Sequence, residues 1–267
     1  MPPPPSPLVR ALEPLAGAIW LFFVFASLVA GVVWAFGVGD ADVAKWVSNH
    51  DLVLTLQWML QQLDFVWIIL AAANAYLSLA AREGQGTARR WIIYILLAVT
   101  ALGWISSRTG ILLGPIQYGA PLAPIQIGHI QLGRLGPVPM GLPLFWFAVI
   151  VGARDGLLRL FPRWSHLQIC LAVSLVGLLT DISLEPLAAK LRGFWIWRSA
   201  DLSQPPSFDA PVTSCLAWAL LAGLLAYGLR ERRIVRPHYR PSWQPAMIVI
   251  IFHIVFLAAH IGRWARG

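Results

Sequence analysis

Two carboxylates four positions apart, Asp181 and Glu185, lie in a mostly apolar run from His166 to Pro186. On a helix that spacing stacks them on one face. One charged side chain at the centre of a membrane helix costs roughly 2.5–3.5 kcal/mol, and two like charges on one face cost more. At least one is therefore expected to be protonated, or both to face a hydrated or paired interior. The alternative is a polar helix end dipping into the headgroups. Trp195 and Trp197 follow shortly after. They fit either the aromatic belt at a membrane interface or an aromatic wall beside the acids. Desolvated aromatic faces stabilise cations by roughly 0.5–2 kcal/mol each. A carboxylic acid, a second carboxylate and aromatic rings in an apolar cavity suit protonation of an alkene and capture of the carbocation. One acid donates the proton; the other, ionised, orients water and accepts a proton.

Three further stretches carry unusual residues. Thr109 to Tyr118 is rich in turn formers, with Gly110, Gly114 and Pro115. Leu132 to Phe147 holds Pro137, Pro139, Pro143 and Trp146. Gly193 to Trp197 holds the two tryptophans. Pro186 has no N–H, so the carbonyl of Ile182 loses its helical partner; a break or kink beside Glu185 is expected. Irregular backbone at membrane depth is tolerated only when buried in protein or lining a cavity.

These residues need elements that hold them within a bilayer. The chain has 267 residues, 58% hydrophobic and 12% charged, with mean hydropathy +0.68. Soluble domains average about 25% charged residues, so the fold expected is an all-α integral membrane protein, a bundle of about seven transmembrane helices. The candidate spans are Leu15–Val38, Leu52–Ala81, Trp91–Ile105, Val138–Leu158, Leu167–Ala189, Val212–Leu229 and Pro245–Ile261. Residues 1–14 begin Met-Pro-Pro-Pro-Pro-Ser-Pro and are expected to be an extended, disordered tail. Residues 15–267 form a single polytopic domain. The first apolar run is too long for a signal-peptide core and is expected to be retained. The second span carries Gln57, Gln61, Gln62 and Asp64, which face the bundle interior or lie in the interface.

With seven spans, twelve Arg and Lys residues fall on the N-terminal side and eight on the other. The positive-inside rule then makes the N-terminus cytoplasmic. That topology gathers the four unusual stretches at one membrane face. The net charge of +8 reflects basic connectors that orient the spans and meet anionic headgroups; no nucleic-acid partner is expected. Cys170 and Cys215 fall in apolar runs and read as small buried hydrophobes rather than a disulfide framework. His253 and His260 lie seven apart on the last span without an evident third ligand, so no metal and no cofactor are expected.

At the four stretches the chain resembles the membrane-embedded carotenoid biosynthesis family that includes cofactor-independent carotenoid 1,2-hydratases. That family has a Thr-Gly turn leading to paired tyrosines, then a Gly-x-Val-Pro…Pro-Leu-x-Trp segment. An Asp-x-x-x-Asp-Pro helix end, a Trp-x-Trp and a final segment with Pro, Asn and Trp follow. The parallels here are Thr109-Gly110 to Tyr118, Leu132 to Trp146, Asp181 to Pro186 with Glu185 for the second Asp, Trp195 to Trp197, and Pro211 to Trp218. They cover about residues 100–220. The chain departs before the Thr-Gly turn, where Gly103 or a neighbour stands for the family's acid, at Ile116 for the first tyrosine, at Arg198 for an acid after Trp-x-Trp, and at Ser214 for Asn.

The resemblance implies addition of water to the terminal double bond of an acyclic carotenoid, giving a tertiary alcohol. Asp181 and Glu185 would be general acid and water-orienting base, in either assignment. Tyr118, Trp146, Trp195, Trp197 and Trp218 would bind the substrate. The partners implied are an isoprenoid or carotenoid and the lipid bilayer, in a bacterial inner membrane. Two alternatives stand: an end-group cyclase or isomerase that shares the protonation step but excludes water, and a non-enzymatic lipid- or pigment-binding protein. In the last the acids pair structurally, as Asp64 would with Arg108. The sequence leaves the oligomeric state open.

Overall fold

Long apolar runs with no water to satisfy their backbone must close their hydrogen bonds internally, so they become helices. The computed structural model describes residues 7–38, 50–119, 126–127, 130–131, 134–197, 211–229 and 243–266. Among these residues seven helices form: α1 (Pro7–Phe36), α2 (His50–Glu83), α3 (Gln85–Thr109), α4 (Gly141–Leu160), α5 (His166–Lys190), α6 (Val212–Gly228) and α7 (Gln244–Arg266). Six contain segments long and apolar enough to cross a bilayer. The protein is therefore an all-α membrane bundle, as its hydropathy implies. The remaining helix, α6, has 17 residues. At 1.5 Å per residue it is about 25 Å long, short of a hydrocarbon core of about 30 Å.

Several boundaries differ from those read off hydropathy. Helix α1 starts at Pro7, ahead of the expected first span; residues 1–6 lie outside the described part. The membrane-crossing segment of α2 starts at Gln62, and its helix runs on from His50. Helix α3 extends beyond the expected span at both ends. The fourth span was expected to start at Val138. Instead Val138–Pro139 forms a short strand, β5, paired with β4 (Arg134–Leu135), and α4 starts at Gly141. Pro137 and Pro139, lacking N–H groups, hold the chain out of the helix until that point.

Helix α4 is the most buried span, with α2, α5 and α7 packed around it. Close approach depends on small residues, as is usual where lipid removes the hydrophobic drive between helices. A Cβ on Gly177 of α5 would sit 2.8 Å from Ala222 Cβ of α6, and one on Gly152 of α4 would strike the carbonyl of Pro245. On the side where α2 and α4 end, a buried network closes the bundle. Arg82 binds Asp155 and Glu83 at 2.6 Å each, and Arg154 binds Glu83 at 3.1 Å.

The opposite side is built differently. Strand β1 (Ile116–Tyr118) pairs antiparallel with β6 (Trp195–Trp197), in the register Ile116↔Trp197, Gln117↔Ile196 and Tyr118↔Trp195. A third pair, β2 (Gln126–Ile127) with β3 (Ile130–Gln131), lies in the connector. Three-residue strands are too short to stand alone. They are held by the helix ends: Phe194 donates its N–H to the Ala188 carbonyl of α5 at 2.8 Å, and Gly119 donates to the Phe194 carbonyl at 2.7 Å.

Candidate functional site

Helix α5 sets the two carboxylates. Its buried stripe runs through Val173, Gly177, Asp181, Glu185 and Ala188, one residue per turn, so both acids point into the protein. Asp181 is 1% exposed and Glu185 4%. Pro186 does not break the helix, contrary to the expectation from its missing N–H. Helix α5 continues to Lys190 and is closed by N–H groups of Leu191 and Arg192 on the Leu187 carbonyl, both at 3.0 Å. Proline removes one bond, and the tertiary packing of the following turn, where Leu187, Ala188 and Ala189 are all buried, keeps the helix.

Each acid uses one of its oxygens. Glu185 Oε2 accepts from the Trp195 indole N–H at 2.9 Å. Asp181 lies beside the Cys215 thiol of α6. The other oxygens, Asp181 Oδ2 and Glu185 Oε1, are buried and find no hydrogen-bond partner among the described residues. Nor does either acid meet an Arg or Lys there; the ion pairs described all involve other carboxylates. Native structures satisfy the great majority of buried polar atoms, so each group left over calls for an explanation.

Tyr118 is brought to this pair by strand pairing. The two-residue period of β1 buries Ile116 and Tyr118 and exposes Gln117. Opposite, β6 buries Trp195 and Trp197. Tyr118 therefore sits cross-strand from Trp195, whose indole donates to Glu185. Burial, and secondarily Glu185, hold the Tyr118 hydroxyl protonated far above the usual tyrosine range. The hydroxyl occupies space left by Gly103, since a Cβ there would lie 2.7 Å from Tyr118 Oη. The chain has glycine where the resemblance led us to expect an acid, and the tyrosine fills that place.

Trp195 and Trp197 are each 3% exposed, which removes them from any interfacial belt. Trp197 donates to the Leu113 carbonyl at 2.9 Å and so braces the turn of β1. That turn needs Gly114: its φ is +80°, and a Cβ would be 3.2 Å from the Trp197 ring and 2.9 Å from Pro211. Trp146 and Trp218 stack with centroids 4.6 Å apart and planes 14° apart. Their stack lies against Gly177, one turn before Asp181.

The structure thus sets Asp181 and Glu185 on one face of α5, Trp195 on Glu185 and Tyr118 cross-strand from Trp195, with the Trp146–Trp218 stack one turn away. An apolar cavity on the far side of Trp195 is walled by Trp34, Trp67, Phe145, Phe194 and Phe256; the acids, Tyr118 and Trp146 are not among its walls. Ser214 is fully buried, and its hydroxyl has no partner among the described residues. Leu132, Gly133 and Arg198 lie outside the described residues. Asp64 pairs with Arg192 and accepts from the Trp34 indole at 2.9 Å, not with Arg108 as supposed. The α7 histidines bind protein oxygens, His253 Nδ1 at the Val249 carbonyl and His260 Nε2 at the Ser183 carbonyl.

The features missed in sequence are the Cys215–Asp181 contact, the aromatic cavity and the Gly103–Tyr118 exchange. The first had a signal, since Cys215 and Ser214 open a buried helix face. The other two join residues from separate elements and had none.

No curated protein and no solved structure matches the chain. Residues 65–266 match the family described as carotenoid biosynthesis protein, which covers α3 to α7 and most of α2. With three-quarters of its length matched, the chain belongs to the carotenoid biosynthesis protein family and has a role in making carotenoids.

Proposed function

We propose that the protein hydrates the terminal C=C of an acyclic carotenoid end by acid–base catalysis. The observation that carries this reading is the acid pair. Two carboxyl groups share one buried face of a membrane helix, each with a spare oxygen and no cationic partner among the described residues. A purely structural pair would be expected to be neutralised by Arg or Lys, as Asp64 is by Arg192.

One acid, Asp181 or Glu185, gives its proton to the terminal alkene. Its O–H bond breaks as a C–H bond forms, leaving a tertiary carbocation. Water adds through a new C–O bond, and the proton it releases passes to the other carboxylate. The net change is addition of one water. Proton transfer between the two acids then restores the starting state. Trp195 and the Trp146–Trp218 stack offer aromatic faces that stabilise the cation, and Tyr118 and Trp197 complete the wall beside them.

Expression in a host that accumulates lycopene, with pigments analysed by mass spectrometry, tests the reading. Products heavier by one or two waters are expected. An isomer of unchanged mass would indicate cyclisation or isomerisation instead, and unaltered lycopene with well-inserted protein would refute an action on this acyclic end.

For orientation, we infer a bacterial inner membrane with the N-terminus cytoplasmic, from the excess of basic residues on that side. Several of the residues counted, including Lys45 and Arg230 to Arg240, lie outside the described part. Reporter fusions after Arg266 and within the Arg230–Arg240 connector should report opposite sides, the connector cytoplasmic. The same side for both would overturn this topology.

A further inference from the structure

Four buried polar atoms around the acid pair lack partners among the described residues: Asp181 Oδ2, Glu185 Oε1, Tyr118 Oη and Ser214 Oγ. Their residues are connected in space. Tyr118 pairs cross-strand with Trp195, whose indole donates to Glu185, and Asp181 lies one turn from Glu185 on the same buried face of α5. Ser214 reaches the same place through the packing of α5 on α6. Gly223 lies over Cys170 and Ser174, Ser174 donates to the Ala219 carbonyl, and Gly177 lies against Trp218 and Ala222. These contacts run antiparallel, so the next turn sets Ser214 and Cys215 beside Asp181. The neighbourhood of Cys215 and Asp181 fits this register.

We propose that the hydroxyls of Tyr118 and Ser214, with Asp181 Oδ2 and Glu185 Oε1, form a binding site for one water molecule, and that this is the water added to the substrate. The hydrogen-bond inventory fits. Two hydroxyls and two carboxyl oxygens match the two acceptor and two donor positions of water, and buried waters typically make about three such bonds. Hydroxyls donate or accept, so the set stays complete whichever acid holds the proton. The place of Tyr118 also explains Gly103: any side chain there would displace the phenol from the acid pair.

The catalytic part of this proposal rests on the hydration reading; the water site does not. Tyr118→Phe and Ser214→Ala remove one hydroxyl each with little change of shape. Two measurements on these variants, their double variant and the parent chain separate the claims. The first is the melting temperature in detergent. Deleting a hydroxyl that binds nothing relieves a buried unpaired group, so stability should hold or rise. Deleting one that binds water strands its neighbours. Both single variants should then melt lower, and the double variant should fall by less than the sum, because both act on the same water.

The second is pigment conversion in the lycopene host. Hydrated product should drop roughly tenfold or more in each variant, with unhydrated isomers of lycopene appearing in its place as the cation loses a proton instead. Lower, non-additive melting with no hydration by the parent chain would uphold the water site and refute the hydratase. Unchanged or raised melting temperatures, or hydration at the parent level in both variants, would overturn the water site.

Discussion

Asp181→Asn and Glu185→Gln should each lower carotenoid hydration by about 10²–10⁴-fold, the usual contribution of a positioned acid or base, while leaving the protein inserted and folded. The amides keep size and polarity. The asparagine can still lie beside the Cys215 thiol, and the glutamine carbonyl can still accept from the Trp195 indole, so the contacts seen at Asp181 and Glu185 survive. What the amides cannot do is transfer the proton. Because neither acid has a cationic partner among the described residues, neutralising one strands no buried charge there, and the melting temperature should stay near that of the parent chain. This separates a catalytic pair from a structural one: a structural pair would lose stability and activity together. Full conversion by either variant, well folded, would remove that residue from the mechanism.

Hydropathy made the helices legible because every span must satisfy its own backbone within lipid. Acid spacing on α5 was legible for a related reason, since helical periodicity alone puts Asp181 and Glu185 on one face. What could not be read was anything joining distant segments. The pairing of Tyr118 with Trp195 rests on three-residue strands, whose local signal is weak and whose stability comes from α5 and its closing turn. Pro186 misled because the loss of one hydrogen bond is a local penalty, while the buried turn after it is a tertiary gain. Asp64 misled in the same way. Arg108 lies nearer in sequence, but the partner, Arg192, is 128 positions away and arrives through the end of α5. The substitution at Gly103 looked like a lost acid; only packing shows that the vacated volume holds the Tyr118 hydroxyl.

The Asp64–Arg192 pair carries the largest expected effect on stability. Asp64 is fully buried in α2 and uses both oxygens, one toward the Trp34 indole and the other toward the guanidinium of Arg192. The pair ties α1, α2 and the end of α5 together, next to the aromatic cavity. Desolvating an ion pair leaves little net gain, but removing one partner strands the other charge at a cost of about 3–5 kcal/mol. Arg192→Ala should therefore lower expression and melting temperature sharply. Adding Asp64→Asn to that variant should restore much of the loss, since the amide still accepts from Trp34 and no charge is left behind. Thermal melting of the two single variants and the double variant in detergent measures the coupling between them. If Arg192→Ala melts with the parent chain, the pair is too hydrated to matter. If the double variant is no better than Arg192→Ala alone, the loss comes from packing around the guanidinium rather than from the stranded carboxylate.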